Sequence, residues 1–530
     1  MPAALDRRPG KWAQWAPRAA ALAGLVAIGA YVSVAVLRLS YPFALEQLEG
    51  NSLVEVHRIL AGQALYPAPS VEYVPDGYPP LYFYVSAAAA RVLGASYLTL
   101  RLVSLASSLA CFALLARLVQ RETGSIAAGT GAAGLFAATY FATGEWFDVG
   151  RVDSLFLALS VGALYAVRRM RGTPGAIAAG TVLAAAALTK QTGLAELVAV
   201  PGILLLSPRR GLARIAGLTA VAVVGLSTLL LRLTSGGWYT YYTVKEMSGQ
   251  ALTAGNFGWF WTALATALGL AACAALIGAR RVPRELLAGC AALAAEGYAT
   301  LVHSGGAIND VLPAYLAVAL LAGLALGNGT GQPGTGQQGT DGPGTDGPGP
   351  GRSATVPRVA AVAGVLVLAQ TVFLLASSQP YRALPSAGPA VSERLIAGMR
   401  ALGGDVAVPS EPSVGLRAGM TPAAHPGSVY DVVRATDRTG IASYMDSAGA
   451  AVKARRFSAI ISPGAGKALF NPPYLLDYYQ ECLQSLPAGQ DTVLIPVAGH
   501  QPRPAVVWIP RGDSCQRVLR VLGGGKAAGS

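Results

Sequence analysis

The chain predicts a mainly helical membrane protein of many spans, followed by a small α/β domain at its C-terminal end. Three observations carry this. Hydrophobic residues make up 53% of the 530 and charged residues 13%, where soluble domains carry about 25% charged. About eleven apolar runs follow one another, with clusters of Arg between alternate runs. After about Gln379 the pattern changes to short apolar stretches set among polar residues.

The runs lie near 19–38, 97–119, 124–143, 153–168, 174–189, 193–207, 212–232, 258–279, 285–303, 310–326 and 358–377. Roughly 20 apolar residues cross a bilayer as a helix. The Arg clusters are Arg117/Arg121, Arg168/Arg169/Arg171, Arg209/Arg210/Arg214, Arg280/Arg281/Arg284 and Arg352/Arg358. Placing them and the basic N-terminus on the cytoplasmic side makes every loop alternate correctly, with the N-terminus inside and the C-terminus outside. The first run follows Arg7, Arg8, Lys11 and Arg18, and Leu37-Arg38-Leu39-Ser40 is a poor cleavage site. It reads as a retained signal anchor. The stretch 79–93 would break the alternation if it crossed, so it reads as an interfacial or re-entrant helix opened by Pro79-Pro80.

These elements divide the chain into a membrane module over 1–326, a linker over 327–357, a last span over 358–378 and an extracytoplasmic α/β domain over 379–530. The linker repeats Gly-Thr-Asp-Gly-Pro-Gly, contains nothing that forms a core and reads as flexible and cytoplasmic. In the last region, 406–408, 458–461, 492–497 and 505–509 read as buried strands, and 474–486 as a helix.

A formal charge of +13 raises the question of nucleic acid, but the basic residues form no stripe and sit in loop clusters, so no nucleic-acid partner is expected. Cys111, Cys273 and Cys290 fall in apolar runs and read as small hydrophobes, whereas Cys482 and Cys515 can pair if their region is extracytoplasmic. No CxxC or zinc-type spacing occurs, so no structural metal is expected.

The outward loops collect Glu46, Glu49, Glu55, His57, Asp76, Glu145, Asp148, Asp153, Lys190, Lys245, Glu246, His303, Asn309 and Asp310. Ionisable residues at a membrane boundary are expensive to keep, and their gathering on one face points to a site there. The loop after the first run reads Leu48-Glu49-Gly50-Asn51-Ser52-Leu53-Val54-Glu55-Val56-His57-Arg58 and continues to Tyr78-Pro79-Pro80-Leu81. Downstream come Leu100-Arg101-Leu102-Val103-Ser104, Arg151-Val152-Asp153-Ser154-Leu155, Leu188-Thr189-Lys190-Gln191-Thr192-Gly193 and Asn309-Asp310-Val311-Leu312-Pro313-Ala314-Tyr315.

This order of elements, over roughly 19–326, resembles the GT-C glycosyltransferases, in particular the branch of protein O-mannosyltransferases and lipid A aminoarabinose transferases. The chain departs from that pattern with Glu at position 49 where Asp is commoner, Val103 for Pro, and Asp310 for Tyr. The resemblance implies an inverting transfer of a sugar from a polyprenyl-phosphate donor to a cell-envelope glycan, lipid or protein, on the outer face of a bacterial cytoplasmic membrane. An Ala/Gly/Arg-rich composition suggests decaprenyl or undecaprenyl phosphate as the lipid. Glu49 falls on the catalytic acid position, with Glu46 as the competing base. Such a base takes the proton of the attacking hydroxyl. Lys190, Arg58 and Arg151 would meet the charge on the departing phosphate. Asp153, Tyr78, Asn309, Asp310 and His303 complete the implied substrate site. No cofactor is required by this chemistry; a divalent cation at the phosphate stays open.

Plainer readings stand beside these. Asp153 can cap its helix, Lys190 can snorkel at a span end, and Trp238-Tyr239-Thr240-Tyr241-Tyr242 reads as an interfacial aromatic belt, with sugar stacking as the minority reading. Ser410, His425 and Asp431 form no nucleophile elbow, and their domain reads as an acceptor-binding or structural cap. The rival functions are a transporter or flippase of a lipid-linked sugar, for which internal repeats are missing, and a polysaccharide ligase.

Overall fold

The computed structural model describes residues 12–327, 355–385, 389–462, 475–483, 496–498 and 506–522. The membrane module opens with α1 (Trp12–Leu39), α2 (Glu49–Leu60), α3 (Leu81–Leu93), α4 (Tyr97–Thr123) and α5 (Ile126–Ala138). It continues through α6 (Val152–Arg169), α7 (Gly172–Thr189), α8 (Leu194–Leu205) and α9 (Arg210–Thr234). A short α10 (Trp238–Thr240) leads into a π-helix over Tyr241–Glu246, and α11 (Ala254–Gly278), α12 (Arg284–Leu301), α13 (Leu312–Gly327) and α14 (Thr355–Ser377) follow.

Every apolar run of the sequence thus forms a helix, but among the described residues eight helices are long and apolar enough to cross a membrane. The difference from eleven lies in α6, α8 and α12. Helix α8 has 12 residues, while α6 and α12 carry charge within 18 residues each: Asp153, Arg168 and Arg169 in one, Arg284, Glu285 and Glu296 in the other. The 13-residue α3 is too short to span and packs on α2 and α4.

Small residues let the helices approach closely, as packing in a bilayer favours. Gly24 of α1 meets Gly134 of α5 backbone to backbone, and a Cβ on either would overlap the other helix. Helix α11 breaks its regular backbone at Leu268, with φ −138°. Gln370 Oε1 of α14 then accepts from Leu270 N at 3.0 Å, and Tyr315 Oη of α13 donates to Ala263 O at 2.8 Å, so side chains satisfy polar backbone beside the kink. At one end of the bundle Arg168 pairs with Glu122 at 2.7 Å and with Glu285, tying α4, α6 and α12 together.

The other end carries the C-terminal region: α15 (Pro389–Leu402), β1 (Asp405–Ala407), α16 (Pro412–Ala418), α17 (Pro426–Arg434), α18 (Thr439–Lys453), β2 (Phe457–Ser462), α19 (Leu475–Tyr478), β3 (Tyr479–Leu483), β4 (Val506–Pro510) and α20 (Cys515–Leu522). The sheet runs β1-β2-β4-β3, with β1 and β2 parallel and the other pairs antiparallel. The strands expected near 406–408, 458–461 and 505–509 are present; most of 492–497 and the linker 328–354 lie outside the described residues. The helix expected over 474–486 is corrected to one turn, α19, followed by β3. Residues 479–483 pair antiparallel with β4, with a register shift between Glu481 and Leu483, and Cys482 is joined to Cys515. This region is seated on the loops after α1: Ala498 N donates to Leu45 O at 2.7 Å, and Ala424 N to Val71 O at 2.9 Å. The aromatic stretch is likewise no belt. Tyr239, Tyr241 and Tyr242 are buried, with Tyr239 against Tyr66 and Tyr241 Oη donating to Asp437 O at 3.2 Å.

Candidate active site

A cavity of about 880 Å³ opens where the loops after α1, α5 and α12 meet the C-terminal region. Glu46, Tyr78, Arg151, Asn309 and Asp310 of the sequence-derived set line it.

Arg151 stands at the N-cap of α6, where an extended backbone sends its side chain back along the loops. Its Nη1 lies 3.4 Å from Glu46 Oε2 and 3.6 Å from Asp76 Oδ2, and its Nη2 donates to Tyr78 Oη at 3.3 Å. The guanidinium also faces the rings of Tyr78 and Trp146. Trp146 reaches the cavity from a turn in which Gly144 and Glu145 both take left-handed φ, 72° and 59°.

Glu46 precedes α2 and is fully buried. Its Oε2 accepts from Leu48 N at 3.0 Å, while Oε1 has no hydrogen-bond partner among the described residues. Burial pushes this carboxyl up to about 8, against the pull of Arg151. Burial also raises the lining carboxyls Glu145, to about 7, and Asp431, to about 6. Asp76 is held from two sides: Asn51 Nδ2 and Ser428 Oγ each donate to its Oδ1 at 2.8 Å.

Glu49 is placed differently. Arg101 donates to both of its oxygens, at 2.9 and 2.8 Å, and Leu45 N and Gly150 N add bonds at 2.7 Å each. The carboxylate is saturated, fully buried and outside the cavity lining. Of the two glutamates, Glu46 lines the cavity and Glu49 does not.

Lys190 follows α7 and is buried between two acids, with Nζ 3.1 Å from Asp153 Oδ1 and 3.6 Å from Asp310 Oδ1. It stands behind Asp310, outside the lining. Asp153 also accepts from Asn309 Nδ2 at 3.4 Å. Arg58 is not brought to the site. It donates to Ala64 O at 3.0 and 2.9 Å and stacks 4.2 Å from the Tyr73 ring. His303 is spent on the backbone, its Nδ1 lying 3.1 Å from Gln250 O. Sequence reasoning did not assign Trp146, Trp259, His425 or Arg434 to the lining, because they carry no local motif and arrive by tertiary placement. Among the described residues no group of three or more His, Cys, Asp or Glu is arranged to hold a metal ion.

This architecture, a polytopic helical bundle with juxtamembrane helices and a site at one end, is that of the GT-C fold. The model of the dolichyl-phosphate-mannose-protein mannosyltransferase family matches residues 77–233. Among solved structures, the chain is similar to ArnT from Cupriavidus metallidurans bound to undecaprenyl phosphate, at 13% identity and a TM-score of 0.57, over 95% of this chain and 99% of that one. The apo state of the same protein matches at 12% identity and the same TM-score and coverage. No curated protein matches by sequence. The chain thus shares the fold of the ArnT structure, and over residues 77–233 it is similar to the mannosyltransferase family.

Proposed function

We propose that this protein is an inverting glycosyltransferase that moves a sugar from a polyprenyl phosphate to an envelope glycan, lipid or protein, with Glu46 as its general base. One observation carries the assignment of the base: Glu46 Oε1 is a buried carboxyl oxygen in the lining of the 880 Å³ cavity with no hydrogen-bond partner among the described residues. The donor class rests on the mannosyltransferase family match and on the likeness to ArnT, which binds undecaprenyl phosphate.

In this reading the acceptor hydroxyl donates its proton to Glu46 as its oxygen attacks the anomeric carbon. The bond from that carbon to the phosphate oxygen breaks, and the electron pair leaves with the lipid phosphate. Arg151, whose Nε and Nη1 have no hydrogen-bond acceptor among the described residues, meets that charge. Lys190, neutralised by Asp153 and Asp310, fixes the floor of the site and keeps Asn309 in place. The alternation of Arg clusters supports a cavity on the outer face of a bacterial cytoplasmic membrane, with the region 379–530 as its cover. The test is transfer of label from radiolabelled polyprenyl-phosphate sugars to a membrane extract by the purified protein. Label appearing in a glycan, lipid or protein supports the reading. Flipping of a lipid-linked sugar in proteoliposomes without any transfer rejects it.

A further inference from the structure

His425 belongs to the C-terminal region, yet it lines the cavity that Arg151 and Glu46 line. It is the N-cap of α17, and its Nδ1 accepts from Gly427 N at 3.0 Å. A ring that accepts at Nδ1 holds its lone pair there, so the neutral imidazole carries its proton on Nε2. Burial first, then the charge of Arg151, push the ring down to about 3, against the opposing pull of the Ser410 backbone, so it is neutral at pH 7. Nε2–H is then a donor on a side chain only 2% exposed, without a well-formed hydrogen bond among the described residues, although the Ser410 backbone stands near enough to pull weakly on it. A buried donor left without an acceptor is costly, so such a group asks for a ligand. Arg151 adds its own unfilled Nε and Nη1, although Nη1 keeps long ion pairs to Glu46 and Asp76. One charged and one neutral donor on the same cavity fit a group that is all acceptor and bears negative charge.

We propose that His425 Nε2–H and Arg151 jointly hydrogen-bond the phosphoryl oxygens of a lipid phosphate, which makes the C-terminal region part of the donor site. This rests on the reading of the cavity as a polyprenyl-phosphate site. The neutral ring supplies a hydrogen bond without adding charge.

The test uses the full chain in detergent with undecaprenyl phosphate as the probe. The protein has four His, so ¹⁵N-histidine labelling gives few ring signals, and those of His425 are the ones that His425→Asn removes. The expected result is a neutral ring protonated at Nε2 at pH 7, with the Nε2 resonance moving as the lipid binds. A ring protonated at Nδ1, or an Nε2 signal unmoved at saturating lipid, overturns the proposal. In parallel, His425→Asn and His425→Ser keep a helix-capping acceptor but lose the reaching donor. Both are expected to bind the lipid about tenfold more weakly or worse; affinity equal to wild type would show that His425 is only a cap. If wild type binds no undecaprenyl phosphate, the donor reading falls together with this one. Binding by wild type with His425 unmoved removes this one alone.

Discussion

Glu49 and Arg101 form a two-pronged ion pair closed to solvent, with Arg101 Nε on Glu49 Oε1 at 2.9 Å and Nη2 on Oε2 at 2.8 Å. Arg101 also donates to the carbonyls of Arg38, Tyr41 and Phe43, so the pair binds the loop after α1 to the first turns of α4. Such a pair holds structure in place and offers no free oxygen to an incoming hydroxyl.

Breaking it from one side should therefore cost stability. Glu49→Gln leaves the Arg101 charge buried and unpaired, a loss on the order of 3–5 kcal/mol. Thermal unfolding in detergent should show a Tm several degrees lower. Glu49→Leu combined with Arg101→Met should lose less than the sum of the two single changes. A Glu49→Gln protein with unchanged Tm would contradict the structural assignment.

The pH profile follows from Glu46. A base acts as the carboxylate, and burial holds this one near 8, so kcat/KM should fall as pH drops through about 8. Arg151 favours the charged form, so Arg151→Gln should move the inflection to higher pH. A flat profile between about pH 6 and 9 would exclude Glu46 as the titrating group.

Lys190 gives a sharper choice. Its removal in Lys190→Met leaves the buried Asp153 and the half-buried Asp310 without their cation, and the expected result is a loss of about 3–5 kcal/mol in stability. If Lys190 instead acts mainly on the lipid phosphate, Tm holds and donor affinity falls. Measuring both quantities on one preparation separates the two.

The cysteines offer a covalent check. With Cys482 and Cys515 joined and Cys111, Cys273 and Cys290 free, alkylation of the denatured, unreduced protein should label three of the five. Closing a loop of 33 residues is worth about 3–4 kcal/mol, so Cys482→Ser should loosen the sheet region by a similar amount.

The helical bundle was legible because apolar runs and Arg clusters are long, repeated signals. The gathering of Glu46, Tyr78, Arg151, Asn309 and Asp310 at one end of the bundle was legible for the same reason, since their loops all follow from the order of the apolar runs. The pairing of Glu49 was hidden, since its partner lies 52 residues on, inside an apolar run. Arg58 carried a signal that went unused. Nine residues of helix make two and a half turns, so α2 must show Glu49 and Arg58 on opposite faces. His425 and Ser428 had no signal at all, because Ser428 reaches Asn51 and Asp76 across some 350 residues of chain. The stretch after Tyr478 was misread because five residues cannot distinguish a helical period from a strand period.

As the proposed base, Glu46 is to remove the acceptor's proton. The most direct measurement is transfer of label from a polyprenyl-phosphate sugar by Glu46→Gln, alongside its Tm and its affinity for undecaprenyl phosphate. The expected result is a fall of about 10²–10⁴ in rate with donor binding and Tm retained. Transfer at the wild-type rate by folded Glu46→Gln protein would contradict it.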